Sequence, residues 1–174
     1  MIRFLCSLSL LSLIGCARST AHLKPVQPFD VGRYIGVWYE AARFPHRFEK
    51  GLEQVSAEYS RREDGTLRVL NKGFNPETGQ WGQIEGTAKF AQAPDVGSLK
   101  VCFFWPFYGA YKIVALDTQD YTWAIVTGNT DRYLWILTRQ PRVPEDKFRD
   151  LTARARDLGF DTRRLIRVKQ DDSN

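Results

Sequence analysis

The stretch Gly36-Val37-Trp38-Tyr39-Glu40-Ala41-Ala42-Arg43-Phe44 decides the fold, because it opens a series in which apolar side chains recur at every second position. A period of two places alternate side chains on opposite faces of a strand, one buried and one wet. Val55, Ala57 and Tyr59 alternate with Gln54, Ser56, Glu58 and Ser60, and Leu67 and Val69 with Thr66 and Arg68. Ile84, Gly86, Ala88 and Phe90 alternate with Gln83, Glu85, Thr87 and Lys89; Leu99, Val101 and Phe103 with Ser98, Lys100 and Cys102. Tyr111, Ile113 and Ala115 mark a further strand, followed by residues 121–127 and 133–139. With residues 34–44 as the first, this gives eight strands.

Turn signals separate them at short intervals: Glu63-Asp64-Gly65, Asn75-Pro76-Glu77-Thr78-Gly79, Pro94-Asp95-Val96-Gly97, residues 117–120 and residues 128–131. The aromatic run Phe103-Phe104-Trp105-Pro106-Phe107-Tyr108-Gly109-Ala110-Tyr111 reads as a loop at the rim. Short links favour antiparallel order. The predicted architecture is all-β, an eight-stranded antiparallel up-and-down β-barrel, whose closure removes exposed sheet edges. One helix breaks the pattern. Pro144 starts it, Glu145 and Asp146 suit its positive end, and Phe148, Leu151, Ala155 and Leu158 form one stripe before Gly159 ends it. Leu134 and Ile136, outward on the preceding strand, are the surface on which that stripe docks. Leu165, Ile166 and Val168 predict a short terminal strand.

The N-terminus carries a different signal. Arg3 precedes an apolar run from Phe4 to Leu13 that closes on Leu13-Ile14-Gly15-Cys16, a charged start and a short core that read as an export signal over residues 1–15. The closing residues resemble a bacterial lipobox. That resemblance implies a diacylglyceryl thioether on Cys16, N-acylation of the same residue and, with Ala17 rather than Asp next to it, sorting to the outer membrane. Residues 16–28, with Pro25 and Pro28, read as a lipidated N-terminus and flexible tether, residues 29–170 as one domain, and residues 171–174 as a polar tail.

Composition removes several function classes. The chain has 174 residues with 25 Lys+Arg against 20 Asp+Glu, a net charge of +5 spread without a basic helix or aromatic nucleic-acid platform. Nucleic acid is therefore not an expected partner. The chain has 3 Cys; once Cys6 leaves with the signal and Cys16 is modified, Cys102 has no disulfide partner, so the domain relies on its hydrophobic core. The 2 histidines, His22 and His46, give neither metal-ligand spacing nor a triad, and His46 reads as a surface side chain at the mouth. No metal, cofactor or catalytic residue is expected.

Gly36-Val37-Trp38-Tyr39-Glu40 matches the Gly-x-Trp-Tyr-Glu signature of the lipocalins, and the chain resembles that family. Asp120-Tyr121 matches part of its Thr-Asp-Tyr element, with Gln119 in place of the threonine, and Arg139 matches the arginine that lies over the signature tryptophan at the closed end. Arg43-Phe44-Pro45-His46-Arg47-Phe48-Glu49, Asn71-Lys72-Gly73-Phe74, the 103–111 aromatic run and Tyr133-Leu134-Trp135-Ile136-Leu137-Thr138-Arg139 are similar to the family's bacterial outer-membrane lipoprotein branch. Trp105 departs from it, standing where related chains carry a smaller residue.

Strand parity then predicts an apolar wall around one ligand: Val55, Ala57, Val69, Ile84, Phe90, Phe103, Tyr111, Ile113, Tyr133 and Trp135, with Asn71 as the polar exception. Gly86, Ala57, Ala88 and Ala115 are small inward residues expected to leave space. The resemblance implies fatty acids or lysophospholipids as cargo, membrane attachment through the lipid anchor, and a role in lipid storage, transport or membrane maintenance. Two other readings stand beside it: a lipid-modifying enzyme with Cys102 as nucleophile, and an envelope lipoprotein with a filled barrel that acts by docking a protein. A homodimer is compatible with the sequence.

Overall fold

The computed structural model describes residues 17–170; the export signal, Cys16 and the tail 171–174 lie outside the described residues. A short helix α1 (Val31–Tyr34) leads into β1 (Gly36–Arg43), β2 (Glu53–Arg61), β3 (Leu67–Asn75), β4 (Gln80–Phe90), β5 (Ser98–Phe104), β6 (Phe107–Leu116), β7 (Trp123–Thr127) and β8 (Leu134–Thr138). Helix α2 (Glu145–Asp157) and a two-residue strand β9 (Ile166–Arg167) follow. The strands run in sequence order, all antiparallel, and β1 pairs with both β8 and β2, which closes the barrel. The first strand is shorter than the predicted 34–44, because Tyr34 belongs to α1, whose N-terminus is capped by Asp30 accepting from Gly32 N–H at 2.7 Å.

Alternating hairpins define two ends. The β1–β2, β3–β4, β5–β6 and β7–β8 links surround the open rim; the β2–β3, β4–β5 and β6–β7 links surround the floor. Trp38, fully buried, closes the floor, with the Arg139 guanidinium carbon 3.9 Å above its ring. The donors of Arg139 bind Arg33 O at 2.7 Å, Val37 O at 2.8 Å, Ile35 O at 3.0 Å, Tyr34 O at 3.1 Å and Tyr121 O at 3.3 Å. One planar cation thus satisfies carbonyls from α1, the α1–β1 link and the β6–β7 turn. Gly36 sits at φ 98°, and a Cβ there would approach Arg139 Nη1 to 3.3 Å, so the first residue of the signature is fixed by both backbone and space. Where Gln119 stands in place of threonine, Asp117 ties the turn, accepting from Asp120 N–H and Thr122 N–H, each at 3.3 Å.

Helix α2 packs outside as expected. Leu151 and Ala155 are fully buried against Leu134, Ile136, Ile125, Trp123 and Val114. The parity expected for Ala115 fails. A register shift between Ile113 and Ala115 turns both Val114 and Ala115 toward the helix-side cluster, so Ala115 is not an inward residue. A second shift between Glu40 and Ala42 puts Ala41 and Ala42 in that outer cluster. Strand β9 pairs with Ala42 and Arg43, beyond the last β1–β2 pair at Tyr39, and Gln170 donates to Glu40 O and Val55 O across the gap.

Of the expected tether 16–28, residues 18–28 lie bonded along the barrel wall. Arg18 N–H binds Asp131 Oδ1 at 2.8 Å, Asp131 N–H returns to Arg18 O at 3.0 Å, and Thr20 N–H binds Asn129 O at 3.0 Å, all on the β7–β8 rim loop. Further on, Val26 N–H binds Ile113 O at 2.9 Å and Phe29 N–H binds Asp95 O at 2.8 Å on the floor side. Pro25 and Pro28 end helix and ladder alike, but an extended chain needs neither to lie along a barrel wall.

The floor yields a direct expectation. Arg139→Ala removes a ring contact and five hydrogen bonds to carbonyls, of which Tyr34 O keeps the Trp38 indole N–H at 2.7 Å, and is expected to lower unfolding free energy by about 3 kcal/mol. Arg139→Lys, a point charge without the planar fork, is expected to recover less than half of that. Urea-unfolding midpoints compare the variants; a lysine variant as stable as wild type would show that charge alone suffices.

Candidate functional site

The barrel interior divides into a packed floor and a looser upper half. Trp38, Tyr34, Tyr59, Leu99, Val69 and Ile113 are each 3% exposed or less. Among the expected wall residues, Val55, Val69 and Ile113 are fully enclosed by neighbours, whereas Ala57, Asn71, Ile84, Phe90, Phe103, Tyr111, Tyr133 and Trp135 are half-buried. Ala57, Asn71 and Ile84 face each other across β2, β3 and β4 in one register row. Gly86 leaves no space. A Cβ on it would meet the Phe103 ring at 2.7 Å, so the aromatic side chain already occupies the volume that the glycine frees.

Two polar groups inside the barrel were not expected from the sequence. The first joins three phenols: Tyr111 Oη lies 2.7 Å from Tyr34 Oη and 2.9 Å from Tyr59 Oη. Burial pushes all three hydroxyls well above the ordinary tyrosine range, so they stay neutral and can donate as well as accept. Tyr34 and Tyr59 also pack their rings 5.6 Å apart, and Tyr34 lies 4.8 Å from Trp38, tying the trio to the floor.

The second group lies toward the rim and depends on the β1 bulge. By following the register shift, Glu40 and Arg43 come together, with Arg43 Nη1 3.1 Å from Glu40 Oε2. Arg43 also donates to Glu49 O at 2.6 Å and Leu52 O at 2.9 Å, and its Nε lies 3.5 Å from Glu49 Oε2. Burial, then the neighbouring Glu49 charge, raises Glu40 well above the ordinary carboxyl range despite Arg43. For Glu49 burial acts in the same sense but is outweighed by His46 and Arg43, so its carboxyl titrates below the ordinary range. The result is two carboxyls shifted in opposite directions around a single guanidinium.

His46 is not a surface side chain. It is 7% exposed, its ring lies 5.4 Å from Trp135 and 5.8 Å from Tyr133, and its Nε2 is 3.0 Å from Glu49 Oε2, angled off hydrogen-bond geometry. Trp135 donates weakly to Glu49 Oε2 at 3.4 Å and stacks on Tyr133 with ring planes 9° apart. Asn71 Oδ1, buried in the upper half, has no hydrogen-bond partner. An unpartnered buried amide oxygen costs about 1–3 kcal/mol, which a bound hydroxyl would recover.

Gly36, Trp38, Tyr121 and Arg139 meet at the floor, where Tyr121 Oη also accepts from Asp30 N–H at 2.9 Å; Asp120 joins only through its backbone. The 103–111 run is no loop but the β5–β6 hairpin, with Phe104 opposite Phe107. Cys102, buried, lies opposite Thr87 on the face away from Phe103 and the barrel interior. Among the described residues, no three His, Cys, Asp or Glu side chains gather as metal ligands. The phenol trio escaped sequence reading because Tyr34 precedes the strands, and the acidic pair because period two cannot foresee a bulge. Glu40 and Arg43 in an otherwise apolar strand were the available signal.

Comparison with known proteins matches this geometry. A family model described as a lipocalin-like domain covers residues 29–170. Outer membrane lipoprotein Blc of Escherichia coli is 51% identical over 163 residues, 92% of each chain, and that of Vibrio cholerae 46% identical over 161 residues, 91% of this chain and 92% of the other. Temperature-induced lipocalin-1 of Arabidopsis thaliana is 34% identical over 87% of this chain and 84% of its own. Among solved structures, insecticyanin of Manduca sexta superposes with a TM-score of 0.70 at 19% identity, covering 86% of this chain and 85% of its own, which speaks for the fold alone. The chain belongs to the lipocalin family.

Proposed function

We propose that this lipocalin is an outer-membrane lipoprotein, anchored through Cys16, that holds one fatty acid or lysophospholipid chain in the upper half of its barrel for storage, transport or membrane maintenance. The observation that carries the reading is the contrast inside the barrel. The floor is packed shut, while Ala57, Asn71, Ile84, Phe103, Tyr133 and Trp135 form a half-buried, largely apolar wall facing the open rim. About ten buried methylenes contribute roughly 8 kcal/mol before association costs, which suits micromolar affinity. Asn71 Oδ1, an unpartnered acceptor, suits a donating group such as a glycerol hydroxyl or a protonated carboxyl. Binding rather than catalysis fits Cys102, whose thiol is buried on the face turned away from that wall.

Titration of the purified protein with palmitate and with a lysophospholipid, read by tryptophan emission, is expected to saturate at one ligand per chain. Ala57→Trp, which fills the upper half, is expected to abolish saturation with native circular dichroism retained. Asn71→Leu is expected to weaken binding by about tenfold, the equivalent of one lost hydrogen bond. Undiminished binding to Ala57→Trp would place the ligand elsewhere.

The acid pair near the rim gives a pH signature. Glu40 holds its proton more tightly folded than unfolded, so the folded chain binds more protons above the ordinary glutamate range and stability declines as pH rises through that window. Glu49 acts oppositely, and its contribution is lost only as pH falls below the ordinary range. Glu40→Gln is therefore expected to flatten the fall in unfolding midpoint as pH rises above the ordinary glutamate range. Parallel curves for variant and wild type would mean that Glu40 is ionised throughout.

A further inference from the structure

Eight large hydrophobic side chains are exposed among the described residues, and six of them stand on the rim. Phe48 (60% exposed) lies in the β1–β2 link, Trp81 (59%) at the start of β4, and Phe104 (65%), Trp105 (84%), Phe107 (77%) and Tyr108 (42%) on the β5–β6 hairpin. A soluble domain gains nothing by presenting aromatic rings on three separate loop tips to water. The fourth rim loop, β7–β8, holds the start of the described chain: Arg18 is bonded to Asp131 and Ser19 bridges Thr130. Cys16 therefore precedes by one residue a segment already fixed at the same end of the barrel as the aromatic tips.

We propose that the open rim docks face-down on a lipid bilayer, with Trp105, Phe104, Phe107, Phe48 and Trp81 entering the headgroup layer. The inference rests on the anchored-carrier reading above and adds an orientation to it. Tryptophan favours that layer because its ring is apolar and its N–H needs a polar partner. Charge agrees: a cleft of about 560 Å³ beside Ala17 is lined by Arg47, Arg132 and Arg164 with Asp131 as its acid, a cationic margin suited to anionic headgroups. Lys89 lies 4.4 Å over the Tyr108 ring and adds a cation under the hairpin. Rings divided among three loops around an opening fit a yielding lipid surface better than one partner protein, which needs a continuous patch of about 800 Å². Docking in this pose lets an acyl chain pass between bilayer and barrel without crossing water.

The test uses the mature full-length protein mixed with vesicles of phosphatidylethanolamine and phosphatidylglycerol brominated near the headgroup end of their acyl chains. Subtracting the emission of Trp105→Gly isolates Trp105, and at 84% exposure this substitution leaves the fold intact. The Trp105 signal is expected to shift to shorter wavelength and to fall by about half on brominated vesicles. Vesicle-bound protein with an unquenched, water-like Trp105 overturns the docking while leaving the anchor reading in place. Quenching by added vesicles of protein whose intact mass shows Cys16 unmodified supports the docking and removes the anchor. Trp105→Gly converting a dimer to a monomer in sedimentation, with no quenching in wild type, overturns the proposal in favour of a second copy.

Discussion

The placement of the Arg139 guanidinium over Trp38 is the interaction on which the rest of the structure depends. A closed eight-stranded sheet has two open ends, and a chain that is to shelter an apolar ligand must stop one of them. Indole and guanidinium do so with complementary chemistry: the ring fills the bore, while the cation faces outward and collects carbonyls from α1, the α1–β1 link and the β6–β7 turn. The floor also aligns the phenol trio, because Tyr34 leans on Trp38 and reaches Tyr111. Depth is set from below, and only the rim-ward half is left to be opened or filled.

How much of this was legible in the sequence follows from the range of each interaction. Period-two alternation is local, and it located every barrel strand, the helix stripe that buries Leu151 and Ala155, and its docking surface on Leu134 and Ile136. The signature residues exposed the floor through the family motif that they resemble, which periodicity alone does not supply. What escaped was whatever depends on a count of one. The bulges in β1 and β6 each insert a single residue, and that single residue sends Ala115 out and brings Glu40 and Arg43 together. Parity applied past a bulge inverts every face it assigns. Gly86 shows the same limit in space: a small residue opens volume only if no neighbour takes it, and the Phe103 ring does.

The polar contents of the barrel qualify the picture of a greasy cup. The phenols at the floor and the Glu40 carboxyl near the rim are groups whose charged forms burial disfavours. Arg43 is already committed to Glu40, Glu49 and two carbonyls, so it serves the wall rather than a ligand. Asn71 differs, since its amide oxygen remains unpartnered in the half-buried part of the wall. That oxygen is an acceptor, so within the wall it is a place for a donor such as a hydroxyl.

A lipid anchor by itself sets distance and leaves orientation free, since a flexible spacer lets the barrel tumble above the membrane. Here the spacer is spent. Residues 18–29 are bonded along the wall from the β7–β8 rim to Asp95 on the floor side, so the chain runs away from the rim before it enters α1, and little length remains between Arg18 and the residue that would carry the acyl groups. An acyl anchor at Cys16, as proposed above, would hold the barrel in few poses, and the pose with the rim against the bilayer is the one that also buries the aromatic tips. The start of the described chain, the exposed rings and the half-buried upper wall share one end of the molecule.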